Sequence, residues 1–337
     1  MGGSAALKLP PSLQPGDLVA IAAPGSAFDR AAFTRGAEFI AAQGYRVTWR
    51  ANITARAGYL AGDDNRRAEE LNSWLRDPEV KAILLARGGY GTSRIVDRLD
   101  FAALRRRPKA IAGFSDLTVL LLAATQRAGI AAFHGPMVAN AGKGKDGERD
   151  MARLLALLAG KPGPRAHRGL RTLLPGRVRA AVTGGNLSLL AHSIGTPFQV
   201  APRGRILFVE EIGEAPYRVD RMVRQLLLAG VFRGVAGVIL GRFSGIKPFE
   251  SRGVAGLFLE ALGNRTVPVV SGFPAGHASP NRAFPLGVTA TLDAEAGTMI
   301  FNPCVTDAAD PRTPTLPGGG RGGGASSRRA PTGKRRP

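Results

Sequence analysis

Short apolar runs alternate with stripes of helical period over the first part of the chain. Leu18–Ala23 is a buried-strand run that Pro24 and Gly25 end. Phe33, Ala37 and Ile40 recur at helical spacing, and Gly44 stops that helix. Arg46–Trp49 reads as a second strand. Asp63 or Asp64 caps a helix that carries Leu71, Trp74 and Leu75. Ala82–Ala86 is a third strand and runs straight into Arg87-Gly88-Gly89-Tyr90-Gly91. Ala110–Phe114 is a fourth, followed at once by Ser115 and a helix-like Leu117–Arg127. Apolar strands alternating with helices predict a parallel α/β sheet, in which ligands bind beyond the carboxyl ends of the strands.

The pattern then changes. Between Gly142 and Arg177 the chain is rich in Lys, Arg, Gly and Pro around a short helix near Met151–Leu158, and it reads as a linker. A second unit follows, with strands at Arg205–Glu211, Val235–Leu240 and Val267–Ser271 and a helix at Val219–Leu228. Val288–Leu292 and Thr298–Phe301 form a closing hairpin. The expected division is therefore an N-terminal α/β domain (1–141), a linker (142–177), a smaller C-terminal α/β domain (178–310) and a basic tail (311–337) expected to be disordered.

Composition narrows the class. Of the 337 residues, 44% are hydrophobic and 21% charged, as in a globular enzyme. No apolar run approaches a membrane span, and the N-terminus lacks the apolar core of a secretory leader. A single cysteine, Cys304, rules out an intrachain disulfide and fits a reducing cytoplasm. The net charge of +21 raises nucleic-acid binding. No recognisable nucleic-acid module accompanies it, and the basic residues are scattered or gathered in the tail. Nucleic acid and membrane are therefore not expected as partners.

Candidate chemistry sits at strand ends. The glycines of Arg87–Gly91 let the backbone turn sharply and free N–H groups to face a ligand, although they also suit an ordinary turn. Ser115 lies at a strand-to-helix junction, a position that fits both an N-cap and an exposed nucleophile. A serine nucleophile needs a histidine base oriented by a carboxylate. The four histidines are His134, His167, His192 and His277. His167 lies in the basic stretch and His192 inside an apolar helical pattern. His134 follows a strand, and His277 sits in a loop just past one. Glu210 and Glu211 end a strand and are natural orienting partners; period two puts them on opposite faces, so only one of them reaches the histidine. Paired acids at a strand end also suit a metal, but two carboxylates and a distant histidine make a weak metal signature, and neither a metal nor a cofactor is expected.

Together these segments resemble the LD-carboxypeptidase family of serine peptidases, which includes murein tetrapeptide carboxypeptidases and microcin-immunity hydrolases. The blocks that carry the resemblance are PGDLVAIAAPGS (Pro15–Ser26), RGGYG (Arg87–Gly91), GFSDLT (Gly113–Thr118), HGPM (His134–Met137), GGNLSLL from Gly185, IGTPF (Ile194–Phe198), ILFVEEIGEAPYRVDRM (Ile206–Met222), LGRFSG (Leu240–Gly245), GFPAGH (Gly272–His277) and PLG (Pro285–Gly287). The resemblance implies a Rossmann-like N-terminal domain, a smaller C-terminal α/β domain with barrel character, and a homodimer. It implies a triad of Ser115, Glu210 and His277, with oxyanion donors at the backbone N–H groups of Gly89 and Asp116. The family usually has Asp where Glu211 stands. The expected activity is removal of the terminal D-alanine of murein tetrapeptides in cytoplasmic cell-wall recycling. Arg87 and Arg242 are the candidates for the substrate's terminal carboxylate. The alternative activity is hydrolysis of peptidyl-nucleotide toxins on the same fold. That branch calls for an aromatic stacking residue from the second unit, where Leu240–Val267 offers only Phe243, Phe249 and Phe258.

Overall fold

The computed structural model describes residues 7–247 and 253–307. The tail expected to be disordered, 311–337, lies outside the described residues. Strands β1 (Leu18–Ala22), β2 (Arg46–Thr48), β3 (Val80–Leu85), β4 (Ala110–Gly113) and β5 (Ala132–His134) come first. Then follow β6 (Ala166–Arg168), β7 (Arg171–Leu174), β8 (Arg177–Asn186), β9 (Ile206–Ile212), β10 (Gly237–Ser244) and β11 (Val269–Ser271). The last are β12 (Phe284–Leu286), β13 (Thr289–Asp293) and β14 (Thr298–Phe301).

The first sheet has the order β12-β5-β4-β3-β1-β2. Strands β1 to β5 run parallel, as the buried, apolar runs of the central strands β1, β3 and β4 predict. The second sheet has the order β6-β14-β13-β8-β9-β10-β11-β7, with a parallel centre at β8, β9, β10 and β11 and antiparallel flanks that give it a curled, half-barrel character. The expected closing hairpin is β13 paired antiparallel with β14. Among the described residues, no helix is long and apolar enough to cross a membrane.

Local chemistry explains the element ends. Asp63, rather than Asp64, caps the helix Asp64–Arg76, its Oδ1 accepting from the Arg66 N–H at 2.8 Å. The basic stretch 142–177 carries more structure than its composition advertises. The helix Lys145–Leu158 buries Met151, Leu154, Leu155, Leu157 and Leu158 in the core behind β1 and β3. Strands β6 and β7 of the same stretch sit at the two edges of the second sheet.

Two features join the sheets close to Ser115. Strand β12, far along the chain, pairs antiparallel with β5 at the edge of the first sheet. The connection from β11 to β12 therefore crosses from the second sheet to the first. Nearer the centre, the Asn186 N–H at the end of β8 donates to Thr118 Oγ1 at 3.1 Å. A Cβ at Gly185 would come within 2.5 Å of the Thr118 side chain, so only glycine allows this approach.

Behind the junction lies an aromatic cluster of Phe114, Phe208, Phe273, Phe284 and Phe301, into which His134 and His167 are built. His134 stacks on Phe284 with centroids 5.0 Å apart. Neither histidine ring has a hydrogen-bond partner among the described residues, and burial pushes both pKa values down to about 3. Both rings are thus neutral in the folded protein but titrate near 6.5 once unfolded. The unfolded state then binds more protons, so their contribution is complete above pH 6.5 and is lost as pH falls toward 3. By pH 5 the loss is about 2 kcal/mol per ring. Melting temperatures measured from pH 7 to pH 5 should fall less in a His134→Phe/His167→Phe double variant than in the parent. Equal falls would show that these rings are not the titrating groups.

Candidate active site

Each of the three candidate triad residues comes from a different part of the chain. Ser115 follows β4 at the carboxyl edge of the first sheet. Its φ of +66 makes it the sole non-glycine residue with positive φ among the described residues. A side chain in that conformation is strained by about 1–3 kcal/mol and persists where the surroundings over-determine it. Here the elbow aims the hydroxyl out of the sheet. Glu210 lies on β9 of the second sheet, fully buried. His277 lies on the crossing connection between β11 and β12.

These elements converge on one chain of hydrogen bonds. His277 Nε2 is 2.9 Å from Ser115 Oγ, and His277 Nδ1 is 2.8 Å from Glu210 Oε2. The ring also packs 4.7 Å from Phe114 between centroids. Glu210 Oε1 has no hydrogen-bond partner among the described residues, and the imidazole holds Oε2. Burial pushes the Glu210 carboxyl above the ordinary carboxylate range, and the His277 hydrogen bond pulls it back. A carboxylate so placed gains most when the imidazole becomes charged.

Gly276 sets the carboxylate–imidazole contact. Its φ is +124, and a Cβ there would fall 2.7 Å from Glu210 Oε2. Its N–H donates to Asn281 Oδ1 at 3.0 Å, and the Asn281 N–H donates to Asp150 Oδ2 at 2.8 Å. The loop bearing His277 is thereby fastened to the helix Lys145–Leu158.

The two strand-end acids part as period two requires. Glu211 turns away from His277 and accepts from Asn186 Nδ2 (2.9 Å), the Ser188 N–H (2.7 Å), Ser188 Oγ (2.7 Å) and its neighbour's Ile212 N–H (2.9 Å). It ties β9 to the start of the helix Leu187–His192.

The glycine loop lies against Ser115. A Cβ at Gly88 would sit 3.1 Å from Ser115 Cβ and 3.4 Å from the Asp116 nitrogen. Gly89 has φ +92, and a Cβ there would overlap Ser26 Oγ. The Asp116 carboxylate accepts from the Gly91 N–H (3.2 Å), the Thr92 N–H (2.9 Å) and Thr92 Oγ1 (2.6 Å), which clamps the loop to the elbow. Ser26 adds a second clamp by accepting from the Tyr90 N–H at 3.0 Å. The N–H groups of Gly89 and Asp116 meet no backbone or side-chain acceptor among the described residues.

Two cavities flank the serine. One of about 580 Å³ is lined by Gly89, Tyr90, Asp116, His192, Phe198 and Glu214, among others. The other, about 360 Å³, is lined by Phe114, Lys143, His277 and Asn281 among others. His192, which reads as a core position in sequence, ends its helix at the larger cavity. Arg87 donates to the Ala27 carbonyl at 2.6 Å and lines neither cavity. Arg242 also lines neither; its backbone N–H donates to the Ala275 carbonyl and its buried Nε has no partner among the described residues. Phe258 is buried with Phe243 packed on it, and Phe249 lies outside the described residues. Ser26, Asn281 and Glu214 carry no role in the sequence reading, because their part in the site comes from contacts between distant segments.

Fold and site place the chain among the α/β hydrolytic enzymes. Residues 19–135 match the LD-carboxypeptidase N-terminal domain, and residues 179–292 match the LD-carboxypeptidase C-terminal domain. The chain belongs to the LD-carboxypeptidase family. It is 34% identical to a probable murein peptide carboxypeptidase of Bacillus subtilis, over 89% of this chain and 96% of the relative. It is 35% identical to the murein tetrapeptide carboxypeptidase of Pseudomonas aeruginosa, over 72% of this chain and 82% of the relative. Its fold superposes with a TM-score of 0.81 on the microcin C7 self-immunity protein in complex with aspartyl sulfamoyl adenosine, at 25% identity, covering 89% of this chain and all of that one.

Proposed function

We propose that the protein is a serine-type LD-carboxypeptidase that removes the terminal D-alanine from murein tetrapeptides. The observation that carries this reading is the Ser115–His277–Glu210 chain, with both hydrogen bonds under 3 Å and two unspent N–H groups beside the hydroxyl. Ser115 Oγ attacks the carbonyl carbon of the L,D peptide bond while its proton passes to His277 Nε2. The developing oxyanion is held by the N–H groups of Gly89 and Asp116. On collapse, the C–N bond breaks, His277 returns the proton to the departing amine, and D-alanine leaves. An ester on Ser115 remains. Water, deprotonated by His277, attacks that ester and frees the tripeptide.

The position of His277 supports one arrangement of the substrate in the two cavities. The imidazole must reach the leaving nitrogen, so the leaving residue occupies the cavity that His277 lines. Lys143 is the cation of that cavity and supplies the countercharge for a terminal carboxylate. The acids beside it are engaged, Asp146 by Arg149 and Asp150 by the Asn281 N–H. The acyl side of the substrate then occupies the larger cavity. Work in the cytoplasm, on peptides recovered from the cell wall, follows from the same reading.

A second reading, hydrolysis of an acyl sulfamoyl adenylate, draws support from one feature. Tyr90 lines the larger cavity and pairs with the exposed Tyr59 at 5.8 Å between centroids, an aromatic platform for a nucleobase. Purified full-length protein offered both substrates separates the readings. Release of D-alanine from L-Ala-γ-D-Glu-meso-diaminopimelate-D-Ala, with the adenylate left intact, is the expected result. Cleavage of the adenylate alone would overturn the first reading.

A further inference from the structure

The glycine loop beside Ser115 is held by a residue that the proposed reaction does not use. Glycine at positions 89 and 91, with φ +92 and +137, leaves this loop free to take many shapes. Its shape is therefore set by bonds from outside. The Gly88 carbonyl accepts from the Ser26 N–H at 3.0 Å, and Asp116 holds the Gly91 N–H. The Gly91 carbonyl accepts from Arg67 Nη1 at 2.8 Å. Arg67 comes from the helix Asp64–Arg76 and is fully buried. The same Nη1 donates to the Pro24 carbonyl, two residues before Ser26, and Nη2 donates to Asp64 Oδ1. One guanidinium thus joins the loop after β1 to the loop after β3. The fit is close, since a Cβ at Gly91 would fall 2.7 Å from Arg67 Nη1. Asp64 is fixed in turn by Arg94, whose Nε and Nη2 donate to its two oxygens at 3.0 and 2.8 Å.

We infer that Arg67 is a positioning residue for the oxyanion site, fixing the loops after β1 and β3 so that the Gly89 N–H faces the reacting carbonyl oxygen. The inference rests on the serine-peptidase reading above. Arg67 acts through Gly91, two residues from Gly89, and through the Pro24–Ser26 turn that holds the Gly88 carbonyl. It also acts on Asp116, whose N–H is the second donor. Burial pushes the Asp116 carboxyl up, its hydrogen bonds to Thr92 and Gly91 pull it back, and the charge of Arg67 adds to that pull. Both donors are therefore tied to one guanidinium. Its planar fork holds two carbonyls and a carboxylate in fixed directions, whereas a lysine ammonium carries the same charge without the fork. Arg66, the neighbouring residue on the helix, is a natural comparison. It is buried too, yet it donates to the Ala23 and Ala61 carbonyls (3.4 and 2.9 Å) and to Glu70 (2.8 Å). None of those bonds reaches residues 87–91.

The test compares Arg67→Lys with Arg66→Lys in the full-length protein, each assayed below its melting temperature. D-alanine release gives kcat and KM. Labelling by a fluorophosphonate gives a readout independent of the peptide: Ser115 Oγ attacks phosphorus, fluoride leaves, the serine proton passes to His277, and the phosphoryl oxygen takes the place of the carbonyl oxygen. Arg67→Lys should lower kcat by about 10- to 100-fold, the scale on which a misplaced oxyanion donor acts, with KM held within about threefold. Labelling should slow by a similar factor. Arg66→Lys should lower the melting temperature and leave kcat and labelling within about twofold of the parent. If Arg67→Lys does not fold, Asp64→Ala, which frees one side of the guanidinium at a partly exposed position, should slow labelling by about three- to tenfold. Unchanged kcat and labelling in Arg67→Lys, or in Asp64→Ala in its stead, would overturn the inference, as would equal losses in Arg67→Lys and Arg66→Lys. A parent that labels at Ser115 but releases no D-alanine would overturn the assigned substrate, and labelling that still depends on Arg67 would then support the positioning role. A parent that does neither would overturn both.

Discussion

Ser115→Ala is expected to lower kcat for D-alanine release by about 10⁵–10⁶-fold, the scale on which nucleophile removal acts in a triad. The substitution removes the only group that forms the acyl bond, while the N–H groups of Gly89 and Asp116 stay in place to polarise the carbonyl. Substrate binding should persist. The elbow makes a second outcome specific to this protein. Ser115 holds φ +66, a conformation that glycine adopts freely. Ser115→Gly should therefore be as inactive as Ser115→Ala yet more stable than the parent by about 1 kcal/mol. Thermal melts of the three proteins check this. A glycine variant less stable than the parent would mean that the backbone here is not under strain.

Glu210→Gln should lower kcat by about 10⁴-fold, comparable to the loss when a triad carboxylate becomes an amide and the imidazole adopts the wrong tautomer. Its melting temperature should hold or rise. The carboxylate is buried with one oxygen unpartnered, so an amide removes a desolvated charge at little structural cost. Glu211→Gln should behave in the opposite way. Its carboxylate accepts four hydrogen bonds, and the NH₂ of an amide cannot accept those of one oxygen. A destabilisation of about 2–4 kcal/mol is expected, with a smaller loss of turnover per folded molecule. Paired measurement of kcat and melting temperature decides between the two acids. Reversal of the two profiles would assign the orienting role to Glu211.

Much of the fold can be read from the residues because its central strands are buried on both faces. Leu18–Ala23 and Ala82–Ala86 read as unbroken apolar runs, each followed closely by glycine. The hairpin of β13 and β14 was visible by alternation. Other elements were hidden for physical reasons. Strand β12 is three residues long and includes Pro285, and it is held by an edge pairing with β5 that local sequence does not encode. The helix Lys145–Leu158 begins in a segment of Lys, Asp and Gly whose polar face masks its start. At the site, motifs placed Ser115 and His277 beside strand ends. Alternation put Glu210 and Glu211 on opposite faces but could not say which face meets the histidine, because that depends on how the two sheets dock. Glu214 was invisible for the same reason, since its place at the larger cavity comes from the fold around it and not from its neighbours in sequence.

The proposed reaction passes through a covalent intermediate at Ser115, and partitioning of that intermediate tests it most directly. Tetrapeptides that differ only in the leaving residue, D-alanine or glycine, are turned over in the presence of a fixed concentration of hydroxylamine. If both pass through one tripeptidyl ester on Ser115, the ratio of tripeptide hydroxamate to free tripeptide is the same for the two substrates, whatever their individual rates. A ratio that changes with the leaving residue, or the absence of hydroxamate alongside rapid D-alanine release, would mean that water attacks the peptide bond directly and would contradict the account.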